Sequence, residues 1–353
     1  MPRARIAALL LLAATGCRVI PVDGNLRTSS TVNGAVQATV DVRMPTTPDP
    51  GPMVEVVVKA GNPASRIALI DVDGLLVNQN LTGLYSVGEN PVAAFREKLE
   101  AAAADPAIRA VVLRINSPGG GVTAADILAE ELRRFKDQTK KPVVACLMDL
   151  ATGGGYYLAV GADAIIAHPT AIVGGLGAIV NHYNLRDAMA TFNVTHDPVK
   201  AGPLVDMGSI TTELPEDSEA RQLLQQMADG FRDRFLARVS RGRPTMTEGD
   251  RRTLADGRVV AAPSALATHL VDALGYLDDA LIEAGRRGGC PGGQVVLFRR
   301  ASYPTRSIYG VTPNVPLQGE LVPVSFPGLE RAKLPTFLYL WQPDPTYARS
   351  GGR

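Results

Sequence analysis

Two glycine-rich runs are the residues in this chain best suited to chemistry: Ser117-Pro118-Gly119-Gly120-Gly121 and Gly153-Gly154-Gly155-Tyr156-Tyr157. Glycine lets the chain take positive φ and lets a substrate carbonyl come close to the backbone. The second run also opens a helix, whose first amides lack partners and sit at the positive end of the helix dipole. Brought into one crevice, the amides of Gly119, Gly120 and Gly154 would form an oxyanion hole, which stabilises the charge developing on a carbonyl under attack. A phosphate loop does not fit, because neither run is followed by Gly-Lys-Ser/Thr and neither has Gly-x-Gly-x-x-Gly spacing. On the glycines alone, tight turns that hold no ligand are the other reading.

The elements around these turns alternate between strand and helix. Ile67 to Asp71 is a short apolar run that reads as a buried strand. A helix follows with Asn90 as N-cap and Pro91 at its first position, stopping at Asp105-Pro106. Ala110 to Ile115 reads as a second strand leading into the first glycine loop. The next helix is expected to open at Thr123, with Asp126 in a capping-box-like place and Ile127, Leu128, Leu132 and Phe135 on one face. Val143 to Leu147 is a third strand with Cys146 as a small core residue. Further strands are expected at Ala164 to Ala167 and around Val173. After Pro215 a longer helix carries Leu223, Leu224, Met227, Phe231 and Phe235, a stripe read as core in preference to subunit interface. The repetition predicts an α/β fold with a mostly parallel, layered sheet.

With these motifs in hand, the chain resembles the signal peptide peptidase A family. The resemblance rests on Arg114-Ile-Asn-Ser-Pro-Gly-Gly-Gly-Val122, Leu150-Ala-Thr-Gly-Gly-Gly-Tyr-Tyr157, Val173-Gly-Gly-Leu-Gly-Ala-Ile179, Ala255-Asp-Gly-Arg-Val259 and Leu270-Val-Asp-Ala-Leu-Gly275. It implies a ClpP/crotonase-like fold of repeated ββα units, a ring-shaped oligomer, and hydrolysis of membrane-derived or other extended peptides by a Ser–Lys dyad. In the family the two groups can come from neighbouring subunits. The family's nucleophile motif, Ala-Ala-Ser-Gly-Gly-Tyr-Tyr, aligns without a gap on Ala151 to Tyr157 and puts Gly153 at the serine position. Its base motif aligns on Lys200-Ala-Gly-Pro-Leu-Val-Asp206 and puts Val205 at the lysine position. Glycine has no side chain and valine takes no proton, so no intact catalytic pair is expected.

Two residues could substitute. Thr152 stands one position early, where its expected role is to cap the helix that opens at the glycines. Lys200 stands five positions before Val205 and would face away on a strand, as a solvated or interface lysine. Ser117 is expected to brace its turn. The resemblance thus leads to a non-cleaving subunit that binds extended or signal-peptide-like segments, in a homo-oligomeric ring or a mixed ring with an active relative. The alternative is an active hydrolase with a non-standard nucleophile. A crotonase-like acyl-thioester chemistry would need a pocket carboxylate, for which only Asp126 and Asp149 are near the glycine runs.

Composition bounds the rest. The 353 residues are 46% hydrophobic, enough for a sizeable core, and carry 36 Lys+Arg against 35 Asp+Glu. That balance gives no case for nucleic acid. Four histidines, His168, His182, His196 and His269, show no metal spacing with one another or with cysteine, and no metal or cofactor is expected. Residues 1–16, with Arg3 and Arg5 ahead of the apolar run Ile6 to Ala14, resemble a bacterial lipoprotein signal that precedes Cys17, the residue to be acylated; an ordinary cleaved signal followed by a chance cysteine is the other reading. The expectation is an exported lipoprotein, anchored to a membrane surface and facing the periplasm or cell exterior. Residues 17–66 then read as a spacer with a possible hairpin, 67–287 as the peptidase-like domain, and 288–353 as a Pro/Gly/aromatic extension. Its aromatic cluster, Phe337-Leu-Tyr339-Leu-Trp341, is expected to pack over the body.

Overall fold

The computed structural model describes residues 26–32, 36–42, 51–79, 81–83, 86–301, 308 and 337–341. Cys17 and residues 1–16, the expected signal, lie outside them. The chain divides into two units at Asp49/Pro50. In the first, β1 (Leu26–Val32) and β2 (Val36–Val42) pair antiparallel, with Val32 opposite Val36.

The second unit runs through β3 (Met53–Lys59), β4 (Asn62–Leu76), β5 (Leu81–Gly83), β6 (Ser86–Glu89), α1 (Pro91–Ala104), β7 (Ile108–Gly121), α2 (Val122–Thr139), β8 (Val143–Thr152), α3 (Gly154–Ala159), β9 (Ala164–Ala167), β10 (Ile172–Gly174), β11 (Ile179–Val180) and α4 (Arg186–Thr191). It continues with α5 (Glu219–Gly242), α6 (Glu248–Leu254), β12 (Val259–Ala261), α7 (Ala262–Ala267), β13 (Ala273–Leu274), α8 (Leu277–Arg287), β14 (Gly293–Arg300) and β15 (Phe337–Leu340). The main sheet follows the order β12-β10-β8-β7-β4-β14-β3. Along this path the inner pairs are parallel and the outer pairs β10–β12 and β14–β3 are antiparallel; β15 joins β7, and β11 joins β15, antiparallel off the path. This is the mostly parallel α/β architecture the alternating elements predicted.

Both faces of the sheet are covered, which is why its strands read as continuous apolar runs. Side chains alternate between two cores. Ala68, Ile70, Val111, Leu113, Ala145 and Leu147 face one; Ile67, Leu69, Ala110, Val112, Val144 and Cys146 face the other. Phe95, Leu128, Leu132 and Tyr156 cover the first face, and Leu277, Ala280, Leu281 and Ala284 of α8 cover the second. Burial pushes the Cys146 thiol up to about 12, so it stays protonated and acts as a small core residue. The sheet splits at β8: Val144–Leu147 pair with β9, whereas Leu150–Thr152 pair with β10. That split delivers the chain to the second glycine run.

Several expectations need correction. Met53–Lys59, assigned to the spacer, and Gly293–Arg300, assigned to the extension, are strands of the main sheet, because β14 pairs with β4 on one side and β3 on the other. Asn90 does cap α1, accepting from the amides of Val92 and Ala93. By contrast, α2 opens at Val122 without a side-chain cap, so neither Thr123 nor Asp126 serves there. The α5 stripe is core only in part: Leu224 and Phe235 are buried, while Met227 is exposed. Among the described residues no helix is long and apolar enough to cross a membrane.

Candidate functional site

The first glycine run is not a free loop. Residues 119–121 continue β7, with Leu75 opposite Gly119 and Leu76 opposite Gly120 on β4. Gly120 must be glycine, since a Cβ there would lie 2.0 Å from the Leu76 carbonyl oxygen. Polar residues just upstream fix the turn. The Ser117 hydroxyl donates to the Gly74 carbonyl (2.6 Å) and accepts from the Gly119 amide (3.1 Å), so it braces the turn as expected. The Asn116 carboxamide accepts from the Leu150 amide and donates to Asp73, which ties β7 to β8.

Gly153 stands at the strand-to-helix turn between β8 and α3, at φ 51° and ψ −122°. This is a conformation side-chain-bearing residues avoid and nucleophile-bearing strand-to-helix turns adopt under strain. The two runs do share one crevice. A Cβ on Gly154 would lie 3.4 Å from both the Gly119 Cα and the Gly120 amide nitrogen. The two glycine runs are therefore neighbours at the N-terminus of a helix, but the Gly119 amide is taken by the Ser117 hydroxyl, so Gly119 drops out of the expected oxyanion hole and Gly120 and Gly154 are what remain of it.

The substitutes find other employment. Thr152 is fully buried and donates its hydroxyl to the Pro118 carbonyl (3.1 Å). Instead of capping α3, whose N-cap Gly153 offers no side chain, it bolts one glycine turn to the other. Thr152→Val, which keeps the shape and removes this bond, should lower the unfolding free energy by about 0.5–1.5 kcal/mol, read from denaturant unfolding. Lys200 lies in an irregular stretch, not on a strand, and pairs with Asp206 at 2.8 Å; the lysine's hydrogen bond holds that carboxylate below its ordinary range. Val205 stands in the same stretch, 69% exposed. The atoms nearest the place of a side chain on Gly153 belong to Tyr339 and Leu340. Of the two carboxylates, Asp149 is exposed, and Asp126 accepts from the Tyr157 hydroxyl (2.6 Å) and is clasped by Arg234.

Sequence reasoning missed what fills the crevice. β15 lies antiparallel to the glycine end of β7, with Leu338, Tyr339 and Leu340 opposite Gly121, Gly120 and Gly119. Its other edge meets β11, where Ile179 faces Leu338. Trp341 extends the pairing by donating its amide to the Pro118 carbonyl (3.1 Å). The aromatic cluster at 337–341 was the available signal, but its register could not be read from sequence. The histidines sit apart from this crevice: His168 contacts Tyr276 and Thr170, and His182 bonds the carbonyls of Ser209 and Thr212.

Fold and crevice together define an α/β protein of the ClpP/crotonase-like class with paired glycine turns at the end of a parallel sheet. Residues 135–287 match the model of peptidase family S49. A protein of Enterococcus faecium named for signal peptide peptidase SppA is 29% identical over 229 residues, covering 65% of this chain and 65% of its own. Protease 4 of Salmonella typhi is 31% identical over 218 residues, 62% of this chain and 34% of that one. A chloroplastic serine protease SPPA of Arabidopsis thaliana is 28% identical over 216 residues, 60% of this chain and 31% of its own. The matches thus span under two thirds of these relatives. The family match and these relatives support membership of the signal peptide peptidase A family, peptidase family S49.

Proposed function

We propose that this chain is an exported, lipid-anchored member of its family that holds extended peptides without cutting them, in a ring of its own kind or mixed with an active relative. The observation that carries the reading is Gly153. The strand-to-helix turn, the neighbouring amides and the helix N-terminus are all in place, yet the residue on the turn has no hydroxyl. No base compensates. Val205 is apolar, and Lys200 is engaged by Asp206. The Thr152 hydroxyl is spent on Pro118, so the alternative of a non-standard nucleophile gains nothing from the geometry. What remains is a groove where the glycine end of β7 and β11 take an extended strand, as they do with β15, and such a groove can hold a peptide by strand addition whether or not a nucleophile is present. Cys17 supplies the acylation site for the anchor, and the names of the relatives point to signal-peptide-like segments as ligands.

The test is a peptidase assay on the chain from Arg18 onward against a mixed peptide library, with products read by mass spectrometry. The expected result is an uncut library. Cleavage that is lost in Thr152→Val would sink this reading and restore an active hydrolase.

A further inference from the structure

The crevice is already occupied by the chain's own tail. Tyr339 is fully buried, and its ring enters a pocket of aromatic side chains. It stacks on Tyr157 at 5.2 Å between centroids and 29° between planes, and lies 4.9 Å from Phe235. Its hydroxyl donates to the Phe231 carbonyl (2.6 Å), so the pocket satisfies both the apolar body and the polar tip of a tyrosine. Two residues earlier, Phe337 packs on Phe231 at 5.0 Å. The backbone is seated as closely as the ring. The Tyr339 carbonyl oxygen stands 1.9 Å from where a Cβ on Gly119 would be and 2.2 Å from where one on Gly153 would be. It therefore sits at the meeting of the two glycine runs, the place a bound peptide's carbonyl would take. Gly153 then does more than lack a hydroxyl, because only glycine leaves room for this strand.

Resting on the peptide-binding reading above, we propose that residues 337–341 are the groove's resident ligand. The groove recognises an extended, uncharged segment with a tyrosine at the position of Tyr339, and a peptide from outside binds only by displacing the tail. β15 has the character of a ligand in that, among the described residues, it pairs only with the segments Gly119–Gly121 and Ile179–Val180. Removing it would leave both edges open, together with the pocket of Tyr157, Phe231 and Phe235. Such an edge takes up an extended strand readily.

The test uses the full chain and a fluorescein-labelled peptide of sequence Thr-Phe-Leu-Tyr-Leu-Trp, alongside the same peptide with glycine for tyrosine. In the natural chain the amides of 338–341 should exchange with deuterium at least 10-fold more slowly than in the free peptide, and the probe should bind poorly. In Tyr339→Asp, which cannot seat a charge in the aromatic pocket, the tyrosine probe should bind at least 10-fold tighter than to the natural chain, and the glycine probe should not. Probe binding to the natural chain as strong as to the variant would overturn the resident-ligand proposal while leaving the peptide-binding reading standing. Equal binding of both probes to the variant would overturn the tyrosine preference. Binding of neither probe to a folded variant would overturn the proposal and the peptide-binding reading together. The exchange measurement needs no substitution, so unprotected tail amides in the natural chain overturn the proposal even where Tyr339→Asp fails to fold.

Discussion

Asp71→Leu is expected to lower the unfolding free energy by about 3–5 kcal/mol, and adding Arg114→Met should return part of that loss. The two residues are opposite each other on β4 and β7, in the middle of the sheet. Their side chains are 1% and 4% exposed, and they pair at 2.6 Å. Arg114 also donates to the Ile308 carbonyl, so it ties the sheet to the chain beyond β14. The fully buried Lys98 makes the two single losses unequal. Burial pushes its ammonium below the ordinary lysine range, while Asp71 pulls the other way. Removing Asp71 therefore takes away the largest attraction on Lys98 and leaves Glu89 alone to offset the repulsion from Arg114, whereas removing Arg114 removes a repulsion and leaves Lys98 with both carboxylates. Arg114→Met alone should cost less than Asp71→Leu alone, and the double variant should be the more stable of the two that lack Asp71. Denaturant titration of the three variants measures the order. A double variant no more stable than Asp71→Leu would show that pairing is not what holds these charges in the core.

How much of this was legible in the sequence follows from the range of the forces involved. α1 could be placed nearly to the residue because Asn90, Pro91 and Asp105 act on their own neighbours. The central strands could be placed because a sheet covered on both faces demands unbroken apolar runs such as Ala110 to Ile115. The two glycine turns were recognisable as one site because both need backbone that only glycine supplies. Strands β3 and β14 were not, since each is defined by a partner more than 200 residues away. The same holds for Asp126, whose local setting suggests a cap but whose partners are Tyr157 and Arg234. Thr152 failed for a related reason: its local geometry suggested capping, and its partner is a carbonyl 34 residues back. The seating of Tyr339 depends on a pocket assembled from α3 and α5 and on glycines of two different turns. Nothing in the spacing of Phe337 to Trp341 encodes that.

Placing a serine at position 153 and a lysine at position 205 should yield a peptidase only when the tail is also unseated. Gly153→Ser adds a Cβ that would meet the Tyr339 carbonyl oxygen at 2.2 Å, its carbonyl carbon at 2.5 Å and the Leu340 amide nitrogen at 2.9 Å. All three are backbone atoms, so no rotamer change relieves the overlap: either the turn shifts or β15 leaves. The serine must also be held at φ 51°, a strain of about 1–3 kcal/mol that the surrounding strand, helix and glycine turns have to bear. Val205→Lys puts the amine on an exposed stretch. A positioned base contributes about 10²–10⁴-fold. The triple variant Gly153→Ser/Val205→Lys/Tyr339→Asp should accordingly cut the tyrosine probe at least about 100-fold faster than Tyr339→Asp alone. Without Tyr339→Asp, the double variant should be slower than the triple, because its own tail competes for the groove. If the two sites lie across a subunit boundary, the specific activity of the triple variant rises with protein concentration; if within one, it stays constant. A triple variant that folds and binds the probe but leaves it intact would mean that a serine and a lysine at these two positions are not enough to make this crevice cut.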